Sequence, residues 1–312
     1  MLRQVIEACD LLDDPLIDGA RAAALLRSRG LERVHTVKIS GAEGSTDFLK
    51  IVVPGSEGKT NKGKASTLGI IGRLGGVGAR PSRIGMVSDA DGAATAVACA
   101  LKLADMRAKG EPLKGDVIIA THLSPCSPVI PHDPVPFMGS PVSVQQMNEH
   151  EVDHAMDAIL SVDATKGNRI VNWRGIAITP TVKEGYILRI SEDLLDILAW
   201  TTGRLPRVVP LSTQDITPYG NGLYHVNSIL QPATATRAPV VGVAVIAEAA
   251  VPGCATGASQ EVDIDEAGRF CLEVAKAFTE GKCRLYDAEE YDRITSLYGR
   301  MDRLQTLGSA GH

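Results

Sequence analysis

Short apolar runs and helical repeats take turns along this chain. Residues 34–40, 47–53, 68–71, 84–87, 117–120, 158–162, 176–179, 186–190, 207–210 and 240–246 alternate or run apolar, which predicts strands. Residues 93–106 carry Val97, Leu101 and Ala104 at i, i+4 and i+7, and residues 262–278 carry Ala267, Phe270, Val274 and Phe278, so both predict helices with a buried stripe. Residues 2–11, 18–29, 144–156 and 192–201 complete the helices, with Asp18 capping the second. The stretch 84–126 holds the whole pattern: an apolar run, Ser88-Asp89-Ala90-Asp91-Gly92, a helix, a break at 110–115, and a second run ending in Thr121-His122. Ser88 or Asp89 can cap that helix, and Gly92 permits a tight bend. Strand, helix and strand of this length make a parallel, right-handed βαβ unit, and such sheets bind ligands at the carboxyl ends of their strands. Asp89, Asp91 and His122 fall on that rim.

The alternation predicts an α/β protein, a three-layer α/β/α arrangement around a mixed, largely parallel central sheet. At 312 residues the chain can bury a full core, and one α/β domain over 1–312 is expected, with peripheral helices at 1–30, a helical tail at 281–312 and a disordered end from 308. A net charge of −5, without an arginine-rich stripe, excludes a nucleic-acid footprint and points to a small-molecule substrate. No apolar run is long enough to cross a bilayer. Six scattered cysteines without CxxC spacing, and no cationic leader, fit a cytoplasmic protein, and a homo-oligomer is expected.

Candidate chemistry clusters in the loops. Gly72–Pro81 is glycine-rich but matches neither the Walker pattern nor GxGxxG, so it reads as a plain turn or as a tight loop whose Arg73 and Arg80 face a carboxylated ligand. Residues 124–141 hold six prolines and must be extended, either walling a pocket or crossing the surface. His150 and His154 share i, i+4 spacing, without an HExxH frame and among acids that suggest a solvated face. Asp163 ends an apolar run beside Lys166 and Asn168, which are candidates to bind substrate. The polar loop 213–228 carries Asp215, His225 and Asn221, the last a further candidate to bind substrate, and Cys254 sits in the loop after the 240–246 run. Asp89 or Asp91 with His122 and Asp163 would suit Zn, or Mn or Fe, and such an ion acidifies water or polarises a carbonyl. Asp91, Asp215 or His225 would then move the proton. A metal-free alternative pairs Cys254 with His122 or His225 for isomerisation, elimination or acyl transfer on a small acid. A ligand-binding protein without turnover is the third reading. The plain alternative for each acid is a helix cap or a hydrogen-bonded loop residue, and for His122 a satisfied rim histidine.

The order of these parts resembles the co-catalytic zinc aminopeptidases of the glutamyl/tetrahedral-aminopeptidase family. SDADGAATAVACALKL is similar to that family's Asp-x-x-x-Gly helix start, TQDI to its Thr-Asp-Ala segment, and PVVGVAVIAEAAVPGCATGASQEVDID to its last strand, loop and helix. The resemblance implies an aminopeptidase-like fold and a metallo-hydrolase acting on an amide or peptide-like bond. The family's upstream His-x-Asp motif, its Glu-Glu pair and its terminal ligand His have no counterparts here: the positions hold an isolated His35, Thr121-His122 and Cys254. Separately, IIGRLGGVGARP, THLSPCSP and QDITPYGN identify nearly the whole chain as resembling an uncharacterised bacterial domain family of unknown function.

Overall fold

The computed structural model describes residues 1–41, 43–79, 85–255 and 258–309. Helices α1 (Leu2–Leu12) and α2 (Gly19–Ser28) come first, and the Asp18 carboxylate accepts the Arg21 N–H to start α2 as expected. Next are β1 (Val34–Gly41), β2 (Gly44–Val53), β3 (Leu68–Gly72), α3 (Asp91–Ala108) and β4 (Val117–Leu123). The proline-rich segment folds into a small antiparallel ribbon of β5 (Val129–Ile130) and β6 (Phe137–Met138). Then come α4 (Val144–Glu151), β7 (Ala158–Thr165), β8 (Gly175–Ile178), β9 (Val182–Lys183), β10 (Tyr186–Ile187) and α5 (Glu192–Thr202). β11 (Val240–Ile246), α6 (Glu261–Thr279) and α7 (Ala288–Tyr298) follow.

The main sheet runs β1-β2-β4-β3-β7-β11-β9-β10, with β8 also paired to β11. β4, β3, β7 and β11 are mutually parallel, whereas β2, β8 and β9 join antiparallel. β3, β4 and β11 are buried at every residue, because helices cover both faces and each strand must be apolar on both. One face carries Leu12, Leu26, Leu101 and Phe270 from α1, α2, α3 and α6. The other carries Met156, Ile229 and Leu230, the last two from a 3-10 helix, Ser228–Ala235. This is the mixed, largely parallel sheet between helices that the pattern predicts.

Several boundaries differ from the sequence expectation. Residues 85–87 form no strand, and Ile84 and Arg80 lie outside the described residues. The strand that enters the βαβ unit is β3, which pairs parallel with β4 and lies between β4 and β7. Helix α3 begins at Asp91 after a 3-10 turn, Ser88–Ala90, and neither Ser88 nor Asp89 caps it with a side chain. Helix α4 stops at Glu151, so His150 and His154 do not share a helix, and the His150 ring instead packs 4.6 Å from Phe48. Residues 207–210 supply only a bridge from Val208 to Ile178. No described helix is long and apolar enough to cross a membrane.

Candidate active site

The four parallel strands end on one side of the sheet, and the loops that leave them converge there. Asp163 lies on β7 opposite Ala244 of β11. Asp89 and Asp91 reach the same place because the start of α3 sits directly on the strand ends. A Cβ added at Gly92 would lie 1.9 Å from the Arg73 carbonyl oxygen and 2.6 Å from that of Val162, so only glycine allows this approach. The loop 251–255 closes over Asp89: the Ser88 hydroxyl is shared between the Pro252 and Gly253 carbonyls, each at 2.9 Å, and the Ser88 N–H donates to Ala255. Here the acids called out by the sequence, Asp89, Asp91 and Asp163, do come together, each about 95% buried.

Burial and mutual repulsion act on them strongly. Burial first, and then the field of Asp89, push the Asp163 carboxyl up to about 7 against the pull of Ser228, Lys166 and Arg73. Burial pushes Asp91 up to about 8, with Ser259 pulling it down and Asp89, Asp263 and Asp163 adding to the rise. Asp89 is also raised by burial, although Lys166 Nζ stands 3.5 Å from its Oδ1. Asp163 Oδ2 accepts a bond from Ser228 Oγ at 3.2 Å, while Asp91 Oδ1 is buried with no hydrogen-bond partner. Among the described residues, no group of three or more His, Cys, Asp or Glu side chains is arranged to hold a metal ion.

His122 and Arg73 have other partners. Glu151, fully buried on α4, takes an ion pair from Arg73 Nε at 2.7 Å and faces His122 Nδ1 at 2.5 Å. The Gly75 N–H donates to His122 Nε2 at 3.0 Å, so Nδ1 carries the proton given to Glu151 and neither ring nitrogen is free for a metal. Burial works against the Glu151 charge, but Arg73 and His122 outweigh it and hold its carboxyl below the ordinary range. Arg73, 2% exposed and also bonded to Asn148, is thus an internal cation and not a contact for a ligand. The sequence reading missed Glu151, yet Met147 and Glu151 stand at i, i+4 and Asn148 and Glu151 at i, i+3, so a polar face continuing a buried methionine was there to be seen.

The remaining candidates divide between pocket walls and loop ties. Asp215 accepts four bonds, from the Ser212 N–H and hydroxyl and from the N–H groups of Val226 and Asn227, at 2.7 to 3.0 Å, and organises the 212–227 loop. Asn221 ties Thr217 to Leu223, and His225 is held between the carbonyls of Leu223 and Thr217. Asn168 closes an Asx turn by accepting the N–H groups of Ile170 and Val171. A cavity of about 550 Å³ lies between these loops and the β5–β6 ribbon, with Asp163, Lys166, Asn168 and His225 in its wall. The proline-rich segment therefore does wall a pocket. A second cavity, about 290 Å³, adjoins Asp89, Asp91 and Lys166, so Lys166 borders both. Cys254 is half-buried in the covering loop and makes no hydrogen bond with a described residue.

The comparisons agree with the fold. Among curated proteins there is no sequence match. The leucine aminopeptidase LAP1 of Caenorhabditis elegans is a structural match, with a TM-score of 0.54 and 11% identity over 88% of this chain. The match takes in 65% of that enzyme, so the chain spans somewhat less than two thirds of it, and at this identity the likeness concerns the fold alone. A family profile described as "Protein of unknown function (DUF1177)" matches residues 37–308, and the chain belongs to that family.

Proposed function

We propose that the protein is a metal-dependent hydrolase acting on an amide or peptide-like bond of a small molecule, with its site at Asp89, Asp91 and Asp163. The observation that carries this reading is a set of three buried carboxylates beside two cavities, one with an orphaned oxygen, for which Lys166 at Asp89 is the one ion-pair partner among the described residues and Ser228 bonds Asp163. Carboxylates in that state bind protons or a cation. The three are not spaced as a ready-made ligand cluster, so a divalent ion would be held by Asp89, Asp91 and Asp163 only after their side chains turn toward it. With His122 committed to Glu151 the donors are all oxygen, which moves the preference from zinc toward manganese. When bound, such an ion polarises a carbonyl oxygen and lowers the pKa of water. The protein's own part is proton transfer and placement. Asp163, open to the larger cavity, can take a proton at Oδ1 and return it to a leaving amine while Ser228 holds Oδ2. Lys166 favours the charged form of Asp89 against its burial, and the 251–255 loop packs over it. The aminopeptidase fold likeness supports peptide-like substrates, whereas no described residue pairs with Cys254 to support the thiol reading.

The test is turnover of a panel of aminoacyl anilides and N-acyl amino acids with added manganese or zinc. Asp163→Asn is expected to lower kcat by about 100-fold or more with KM little changed. An unchanged kcat in that variant would remove Asp163 from the mechanism. Binding without turnover of any amide would instead favour a protein that holds its ligand and does not react with it.

A further inference from the structure

The larger cavity has a chemistry of its own. Its basic side chains are Lys166 and Arg169; Asp163, His132 and His225 also line it. Lys166 already faces Asp89 and sits 5.2 Å from the centre of the Phe137 ring. Arg169 is exposed and makes no ion pair or hydrogen bond with any described residue, whereas Arg73 and Arg174 are paired. The reason lies in the chain. The Asn168 Asx turn fixes the backbone at 168–171, and Gly167 packs so tightly on the 247–249 segment that a Cβ there would lie 2.6 Å from the Ala247 carbonyl oxygen. The turn therefore holds Arg169 and the 64%-exposed Ile170 in the cavity wall. The same cavity is lined by Phe137, with the His132 ring 3.9 Å from its own, and by the 80%-exposed Tyr224. Large apolar side chains that remain in water around a concave site are a surface for an apolar ligand group.

From this arrangement we infer that the cavity takes a small organic acid with an apolar or aromatic body, its carboxylate on Arg169 and its body between Phe137, Ile170 and Tyr224. A guanidinium fork that nothing else occupies suits a planar carboxylate at two points. The cavity is of ordinary size for a small ligand. This deepens the hydrolase reading by assigning it N-acylated amino acids, whose amide would lie between Arg169 and Asp163, and in that respect rests on it.

N-benzoylglycine tests the inference, with neutral N-benzoylglycinamide as its control, by titration calorimetry on the full chain at pH 6.5. The acid is expected to bind roughly tenfold or more tightly than the amide. Arg169→Gln should bring the two to within about twofold, and Tyr224→Ala should weaken both alike. Equal affinity for acid and amide in the wild type, or binding of neither, overturns the inference. The hydrolase reading is judged separately, from release of benzoate and glycine. Tight, Arg169-dependent binding without cleavage keeps the acid pocket and removes the hydrolase, and cleavage indifferent to the carboxylate does the reverse.

Discussion

Asp91 and Asp163 stay protonated in the folded protein at pH values where the unfolded chain has already ionised them. Because their folded values, about 8 and about 7, lie above the ordinary 3.8, the native state binds more protons across that interval, and stability falls as pH rises through it. Glu151 has the opposite sign. Its lowered carboxyl contributes stability that is present above the unfolded value and lost as pH falls through the folded one. Urea denaturation without metal should therefore show greatest stability in mild acid and a decline from pH 5 to pH 8. Asp91→Asn with Asp163→Asn should flatten that decline, and a decline of equal slope in the double variant would mean that other groups cause it. Removing one partner of the buried ion pair is a separate matter, since Glu151→Gln leaves Arg73 charged and 2% exposed. That change should cost about 3–5 kcal/mol in the same measurement, whereas a loss below about 1 kcal/mol would show that Arg73 finds water or another partner.

At the scale of elements, the start of α3 determines where the acids stand. Gly92 rests on the carbonyls of Arg73 and Val162, and Gly72 in turn lies against the Gly92 carbonyl, 2.3 Å from an added Cβ. Gly92→Ala should destabilise the fold by about 1–3 kcal/mol or more, seen as a lower urea midpoint, because backbone and not a flexible side chain must move. An unchanged midpoint would mean that the helix start is free to shift. The helices, and most strands, could be read from the sequence because apolar period is a local property. The expected strand at 84–87 could not, at least over its described residues 85–87, since the place between β4 and β7 is filled by β3 and the sequence pattern does not show which run wins a pairing partner. Helix α4 ended early for a similar reason. Its last residue, Glu151, is fixed by Arg73 and His122, which lie 78 and 29 residues away.

Across the whole molecule the same division holds for the site. That Asp89, Asp91 and Asp163 would share a rim followed from strand order, because parallel strands must all end on one side. The partners of His122, Arg73 and Asp215 depended on contacts made only in the folded chain, and each turned inward to satisfy another buried group. The acids that kept their polarity without enough partners are the ones left for chemistry, and a divalent ion is what the reading assigns to them. Calorimetric titration of manganese into chelator-treated protein near pH 7, compared with the Asp91→Asn, Asp163→Asn double variant, tests that assignment most directly. The account predicts about one ion per chain, release of protons from the raised carboxyls as it binds, and loss of binding in the variant. Folded wild-type protein that takes up no ion, or a variant that binds equally well, would contradict it.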